Sequence, residues 1–93
     1  MLDWTERPPD ASYDLHGQTV VEAVENAERF LKVQARVRQG GVVRLITGRG
    51  RIGGGAPIRT RVRTLLKNLR QREVAVRDYV LEDSEGSFLV RLR

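Results

Sequence analysis

Two stretches of the chain repeat their apolar residues at helical spacing, and they frame everything else. In the first, Val20, Val24, Ala27, Leu31 and Ala35 recur every three or four residues, with Ala23 and Phe30 beside them. That spacing builds one buried helix face. Thr19-Val20-Val21-Glu22 is a Ser/Thr-x-x-Glu capping box, so the helix is expected to begin there. Gly40-Gly41 is expected to end it. In the second stretch Ile58, Val62, Leu65, Leu66 and Leu69 share a face, and Pro57 suits a first helical turn.

Between and around these helices the pattern shortens to that of strands. Tyr13 and Leu15, approached from Ser12 and ended by Gly17, predict a short strand. Val42 to Thr47, "VVRLIT", is apolar enough for a central strand. Val74 to Glu82 and Ser87 to Leu92 read as a hairpin joined around Asp83-Ser84-Glu85-Gly86, with Phe88, Val90 and Leu92 on one face. Residues 1–11 read as an extended arm stiffened by Pro8-Pro9, with Trp4 packing it onto the body, and residues 12–93 as the folded domain. The order is β-α-β-α-β-β. One sheet covered by two helices gives an α/β (α+β) two-layer sandwich.

Composition keeps this picture and narrows it. With 93 residues, 40% apolar and 31% charged, the chain suits one domain with a modest core. It has no cysteine, which excludes disulfides and thiolate metal sites. No apolar run approaches the roughly 20 residues of a membrane span. The opening "MLDWTERPPD" is acidic and proline-bearing, unlike a targeting peptide. A cytoplasmic protein with no membrane partner is expected.

Charge changes the picture more. The net charge is +5, and from Arg44 to Arg72 there are nine Lys/Arg and no Asp or Glu. The other eight basic residues are outnumbered by the twelve acids. Such segregation creates a local positive field, the footprint of a polyanion binder. Arg59, Arg63, Lys67 and Arg70, spaced i, i+4, i+8 and i+11, are expected to line one outward stripe of the second helix. A merely solvated basic face is the plainer alternative. The second helix has no Trp or Phe to insert into a membrane surface.

The loop before that helix, "ITGRGRIGGGAPIR" (Ile46 to Arg59), contains Gly48-x-Gly50-x-x-Gly53, the spacing of a dinucleotide fingerprint. Its position argues against that use. The fingerprint belongs to the first βα turn of a doubly wound domain, its third glycine lies in the helix, and 93 residues cannot supply two mononucleotide halves. No Gly-Lys-Ser/Thr follows, so it is not a P-loop either. What remains is physical. Glycines let backbone N–H groups converge on an anion ahead of a helix N-terminus. Arg49 and Arg51 add bidentate phosphate donors. A phosphate cradle of Gly48, Arg49, Gly50, Arg51 and Gly53 follows, with a plain surface loop as the alternative.

Asp14 and His16 form the other candidate site. Two apart on a strand, they would project from one face while Leu15 points inward. His16 is the only histidine. A neighbouring carboxylate can orient an imidazole for proton transfer to or from a water, a ribose hydroxyl or a leaving oxygen. A purely structural histidine at a strand end is the common alternative. One His and no Cys argue against zinc, whereas a Mg²⁺ held by Asp14 and phosphate is compatible with the donors present. If the first two strands are parallel neighbours, their following turns meet at one sheet edge, where α/β ligand sites favour lying. His16, Thr47, Arg49 and Arg51 would then surround one pocket.

These residues bear a family resemblance. "YDLHGQTVVEAV" resembles the Leu-Asp-Leu-His-Gly-x-Thr-x-x-x-Ala signature of the Smr (small MutS-related) domain. "VRLITGRGRIGGGAPIRTRVRTLL" resembles its second motif, a strand, His/Thr-Gly-x-Gly, a glycine-rich loop and a helix, and "GSFLVRL" its final strand. The resemblance implies a mixed four-stranded sheet with two helices, like the C-terminal domain of a translation initiation factor. It implies binding and nicking of DNA, or of mRNA at the ribosome. By position, Asp14, His16 and Gly17 match the first motif, and Thr47, Gly48, Arg49 and Gly50 the second. Thr47 stands where many members have histidine, which excludes a two-histidine mechanism here. Tyr13 replaces the usual leucine or valine.

The expectation is thus a sequence-nonspecific endonuclease with Asp14 and His16 as catalytic residues. The backbone would be held by Gly17, Thr47, Gly48, Arg49, Gly50, Arg51, Gly53, Arg59, Arg63, Lys67 and Arg70. The alternatives are a non-catalytic nucleic-acid- or ribosome-binding module and a domain whose basic face meets an acidic protein.

Overall fold

Thr19 starts the first helix as its capping box requires. Its Oγ1 accepts the Glu22 N–H at 3.1 Å while Glu22 Oε1 accepts the Thr19 N–H at 3.0 Å. These bonds hold the Glu22 carboxyl below its ordinary titration range, the Thr19 backbone N–H contributing most. In the computed structural model, which describes residues 3–49 and 55–93, the elements run β1 (Ala11–Asp14), α1 (Val20–Val37), β2 (Val42–Ile46), α2 (Gly55–Gln71), β3 (Val76–Leu81) and β4 (Ser87–Leu92). The sheet order is β1-β2-β4-β3. β1 and β2 pair in parallel, and β4 is antiparallel to both β2 and β3, so the sheet is mixed.

The core follows the two periodicities. Ala23, Ala27 and Leu31 of α1 and Ile58, Val62, Leu65, Leu66 and Leu69 of α2 bury against Val43, Leu45, Val76, Phe88, Val90 and Leu92 of the sheet. Each large side chain buried this way contributes about 1.5–3 kcal/mol. Val20, Val24, Phe30 and Ala35 pack at the margin, with Phe30 edge-on to Tyr13 at 5.2 Å between centroids. Among the described residues, no helix is long and apolar enough to cross a membrane.

Several boundaries differ from the sequence reading. β1 ends at Asp14, because the chain turns at His16-Gly17, although the Leu15 N–H still reaches the Ile46 carbonyl at 2.7 Å. His16 therefore sits in the turn and not on the strand. β2 ends at Ile46 and not at Thr47. β3 starts at Val76, two residues late, since Glu73 and Ala75 adopt left-handed backbone conformations in a tight turn. In the expected extended arm, Trp4–Glu6 forms a single 3-10 turn and Ala11 already belongs to β1. The segment is tied to β2: the Asp10 N–H donates to the Val42 carbonyl at 2.7 Å, and Asp10 Oδ2 accepts the Val42 N–H at 3.0 Å. Trp4 is half-buried beside Arg7, Gly40 and Arg91.

Candidate nucleic-acid interface

The parallel pairing of β1 with β2 brings both motifs to one sheet edge. Asp14 stands opposite Ile46, so the turn His16-Gly17 and the start of the glycine loop, Thr47-Gly48-Arg49, leave the sheet side by side. Leu15 is fully buried between them, while Asp14 and His16 are exposed. Gly17 and Gly48 take φ of +86° and +83°, a left-handed backbone that glycine adopts without strain.

The two acid–base candidates relate differently than expected. Asp14 Oδ1 accepts the His16 main-chain N–H at 2.9 Å, an Asx turn that shapes the bend. Among the described residues no hydrogen bond joins the carboxylate to the imidazole. Asp14 thus fixes where His16 emerges from the sheet edge, with the residue exposed.

Thr47 is fully buried. Its N–H and that of Gly48 both donate to the Gly86 carbonyl, at 2.8 and 3.0 Å, and its Oγ1 lies 3.2 Å from the Gly48 carbonyl and 3.3 Å from that of Gly86. It braces the loop from beneath. Arg49 is exposed, with Nε donating to the Ser84 carbonyl at 2.9 Å. Gly50, Arg51 and Gly53 lie outside the described residues.

The basic stripe divides in two. Arg59 Nη1 donates to the Arg49 and Glu85 carbonyls at 2.8 and 3.1 Å, linking α2 to the loop and to the β3–β4 turn. Arg70 pairs with Asp78 at 3.1 Å and lies 5.1 Å from the Tyr79 ring centre. Arg63 and Lys67, both exposed, make no ion pair among the described residues, and Arg63 passes 6.0 Å from the Phe88 ring centre. The stripe flanks β3 and β4, and its middle is its freest positive charge.

Sequence reasoning missed one group. Arg44 of β2 meets Glu82 in a bidentate pair at 2.8 and 3.0 Å, and Ser87 Oγ donates to the same carboxylate at 2.6 Å. The signal was present: a lone arginine inside "VVRLIT" needs a partner. The Arg44 hydrogen bonds hold the Glu82 carboxyl below its ordinary range against the opposing effect of partial burial, with Ser87 adding to the lowering. Glu82 in turn raises Arg44. Among the described residues, no group of three or more His, Asp or Glu side chains converges as a metal cage. Asp14 would offer a Mg²⁺ one carboxylate, leaving the remaining ligands to phosphate and water.

Known proteins match this arrangement. The family model for the Smr domain matches residues 13–93. The crystal structure of the Smr domain of Thermus thermophilus MutS2 is similar at 29% identity and a TM-score of 0.70, the match covering 89% of this chain and 98% of that one. Curated proteins give no significant match. With both motifs at one sheet edge, the mixed four-stranded sheet beneath two helices, and the family match over nearly the whole chain, this protein belongs to the Smr domain family.

Proposed function

We propose that this domain holds the phosphate backbone of a nucleic acid at the β1/β2 edge and cuts it there without regard to sequence. The observation that carries the reading is the side-by-side exit of His16-Gly17 and Gly48-Arg49 from parallel strands, in a chain whose α2 carries Arg63 and Lys67 without an ion pair among the described residues. Cations that meet phosphates supply affinity but no sequence information. His16 is the proton-transferring group: its imidazole takes the proton of the attacking hydroxyl, from water or a ribose, as one P–O bond forms, and a proton returns to the oxygen released as the other breaks. Asp14 positions His16 through the main chain.

The test is nicking of supercoiled plasmid and cleavage of a single-stranded RNA by wild type, Asp14→Ala and His16→Ala, with Mg²⁺ or with EDTA. Cleavage lost in His16→Ala with affinity retained supports the reading, the cut substrate selects DNA or RNA, and the EDTA arm decides the metal requirement. Binding by all three proteins with no cleavage overturns catalysis. That outcome would leave a binding module for nucleic acid, with the ribosome as one such target. Asp14's use of its carboxylate on the main chain, and not on the ring, is the observation favouring that second reading.

A further inference from the structure

The β3–β4 turn is bonded outward, to the glycine loop and to α2, as well as within its own hairpin. The Gly86 carbonyl takes the Thr47 and Gly48 N–H groups, the Ser84 carbonyl takes Arg49 Nε, and the Glu85 carbonyl takes Arg59 Nη1. Contact is close enough that a Cβ on Gly86 would stand 3.3 Å from Arg49 Cγ. Glu85 holds φ +61°, a conformation that costs a non-glycine residue about 1 kcal/mol or more and persists only where neighbours enforce it.

We infer that this turn is a third wall of the nucleic-acid site, and that Glu82 is a positioning residue that sets where Arg49 and the Thr47-Gly48 backbone stand. The inference rests on the function proposed above. Glu82 and Ser87 flank the turn and are joined across its base twice, by Ser87 Oγ to Glu82 Oε1 at 2.6 Å and by the Glu82 N–H to the Ser87 carbonyl at 2.9 Å. Arg44 grips the same carboxylate with two donors from β2, three residues before Thr47. One carboxylate therefore fastens both ends of the turn to the strand that delivers the loop. The chain of contact runs Arg44, Glu82, the turn, then Arg49. Bidentate pairs of this kind fix geometry as well as adding energy.

Glu82→Gln preserves the shape and removes the charge. Two readouts are taken: amide hydrogen exchange at Thr47 and Gly48 against Val43 and Leu45, and affinity for a fluorescein-labelled mixed-sequence single-stranded DNA across a salt series. Exchange at Thr47 and Gly48 is expected to accelerate about tenfold more than at the two core amides. Affinity is expected to fall several-fold with an unchanged salt slope, because the number of phosphate contacts is the same. Equal acceleration everywhere would make Glu82 a stability residue only and overturn the inference, as would wild-type affinity. Should Glu82→Gln not fold, Ser87→Ala, which removes one bond to the carboxylate, is judged by the same two readouts. If wild type binds neither this DNA nor an RNA of the same sequence, the proposed function fails, while the exchange comparison still shows whether Glu82 governs the loop.

Discussion

Arg59 reaches back ten residues to donate from Nη1 to the carbonyl of Arg49 at 2.8 Å, and the same nitrogen meets the Glu85 carbonyl at 3.1 Å. A residue whose spacing assigns it to an outward basic stripe also braces helix, loop and turn. Charge-assisted bonds of this kind are worth about 1.5–3 kcal/mol each when well shielded, and less at an exposed site. Arg59→Ala is expected to lower unfolding stability by about 1–2 kcal/mol in urea titrations, whereas Arg63→Ala should stay within about 0.5 kcal/mol of wild type. Equal losses in the two variants would contradict the division of the stripe.

Binding should show the opposite order. Arg63→Ala and Lys67→Ala each remove a cation that has no ion-pair partner among the described residues. Each is expected to weaken binding alike on unrelated sequences and to flatten the slope of log K against log salt by about 1. Arg70→Ala should change the slope less, since Asp78 already partners that guanidinium. Fluorescence anisotropy over a salt series measures all three. A sequence-selective loss in either of the first two would rule out backbone contact.

Acid should act through Glu82. Its folded carboxyl lies below the ordinary value of 4.5, with the Arg44 hydrogen bonds as the main cause. A lowered folded value means the unfolded chain binds the proton more readily. The stabilisation is therefore fully present above the unfolded value and is lost as pH falls through the folded one. The stability gap between wild type and Glu82→Gln is expected to be widest near neutrality and to close as pH falls below about 5 and on through the lowered folded value, read from urea midpoints. A gap that stays constant across that window would separate the Arg44–Glu82 pair from acid sensitivity.

The helices and the last strand were legible because their signals are local. Thr19 and Glu22 cap each other within four residues, and the apolar faces of α1 and α2 repeat within single turns. The site was legible only as an address. Parallel β1 and β2 bring the two glycine turns together, as the motif order implied. What each side chain does there depends on partners distant in the chain, which periodicity does not encode. Arg44 meets Glu82 38 residues on, Thr47 Oγ1 lies near a carbonyl 39 residues on, and Arg59 needs the turn 26 residues away. Asp14 shows the reverse case. Its partner is only two residues off, yet a strand reading hid it, because the bend comes one residue sooner than the alternating pattern suggests.

Gly17 and His16 offer the sharpest separation of framework from chemistry. Gly17 stands at φ +86°, and a Cβ built there meets nothing within 4 Å. The cost of Gly17→Ala is thus conformational alone, about 1–2 kcal/mol for an L-residue in that region. In a chain of this size that corresponds to a melting temperature lower by roughly 4–8 °C per kcal/mol. His16 is exposed and its ring makes no hydrogen bond among the described residues, so His16→Ala should melt with wild type while losing cleavage. The decisive comparison is thermal unfolding of both variants beside the cleavage assay. If His16→Ala melted as low as Gly17→Ala, the imidazole would be part of the framework and the proton-transfer role would fall. A wild-type melt with cleavage gone would place His16 in the chemistry and Gly17 in the bend that presents it.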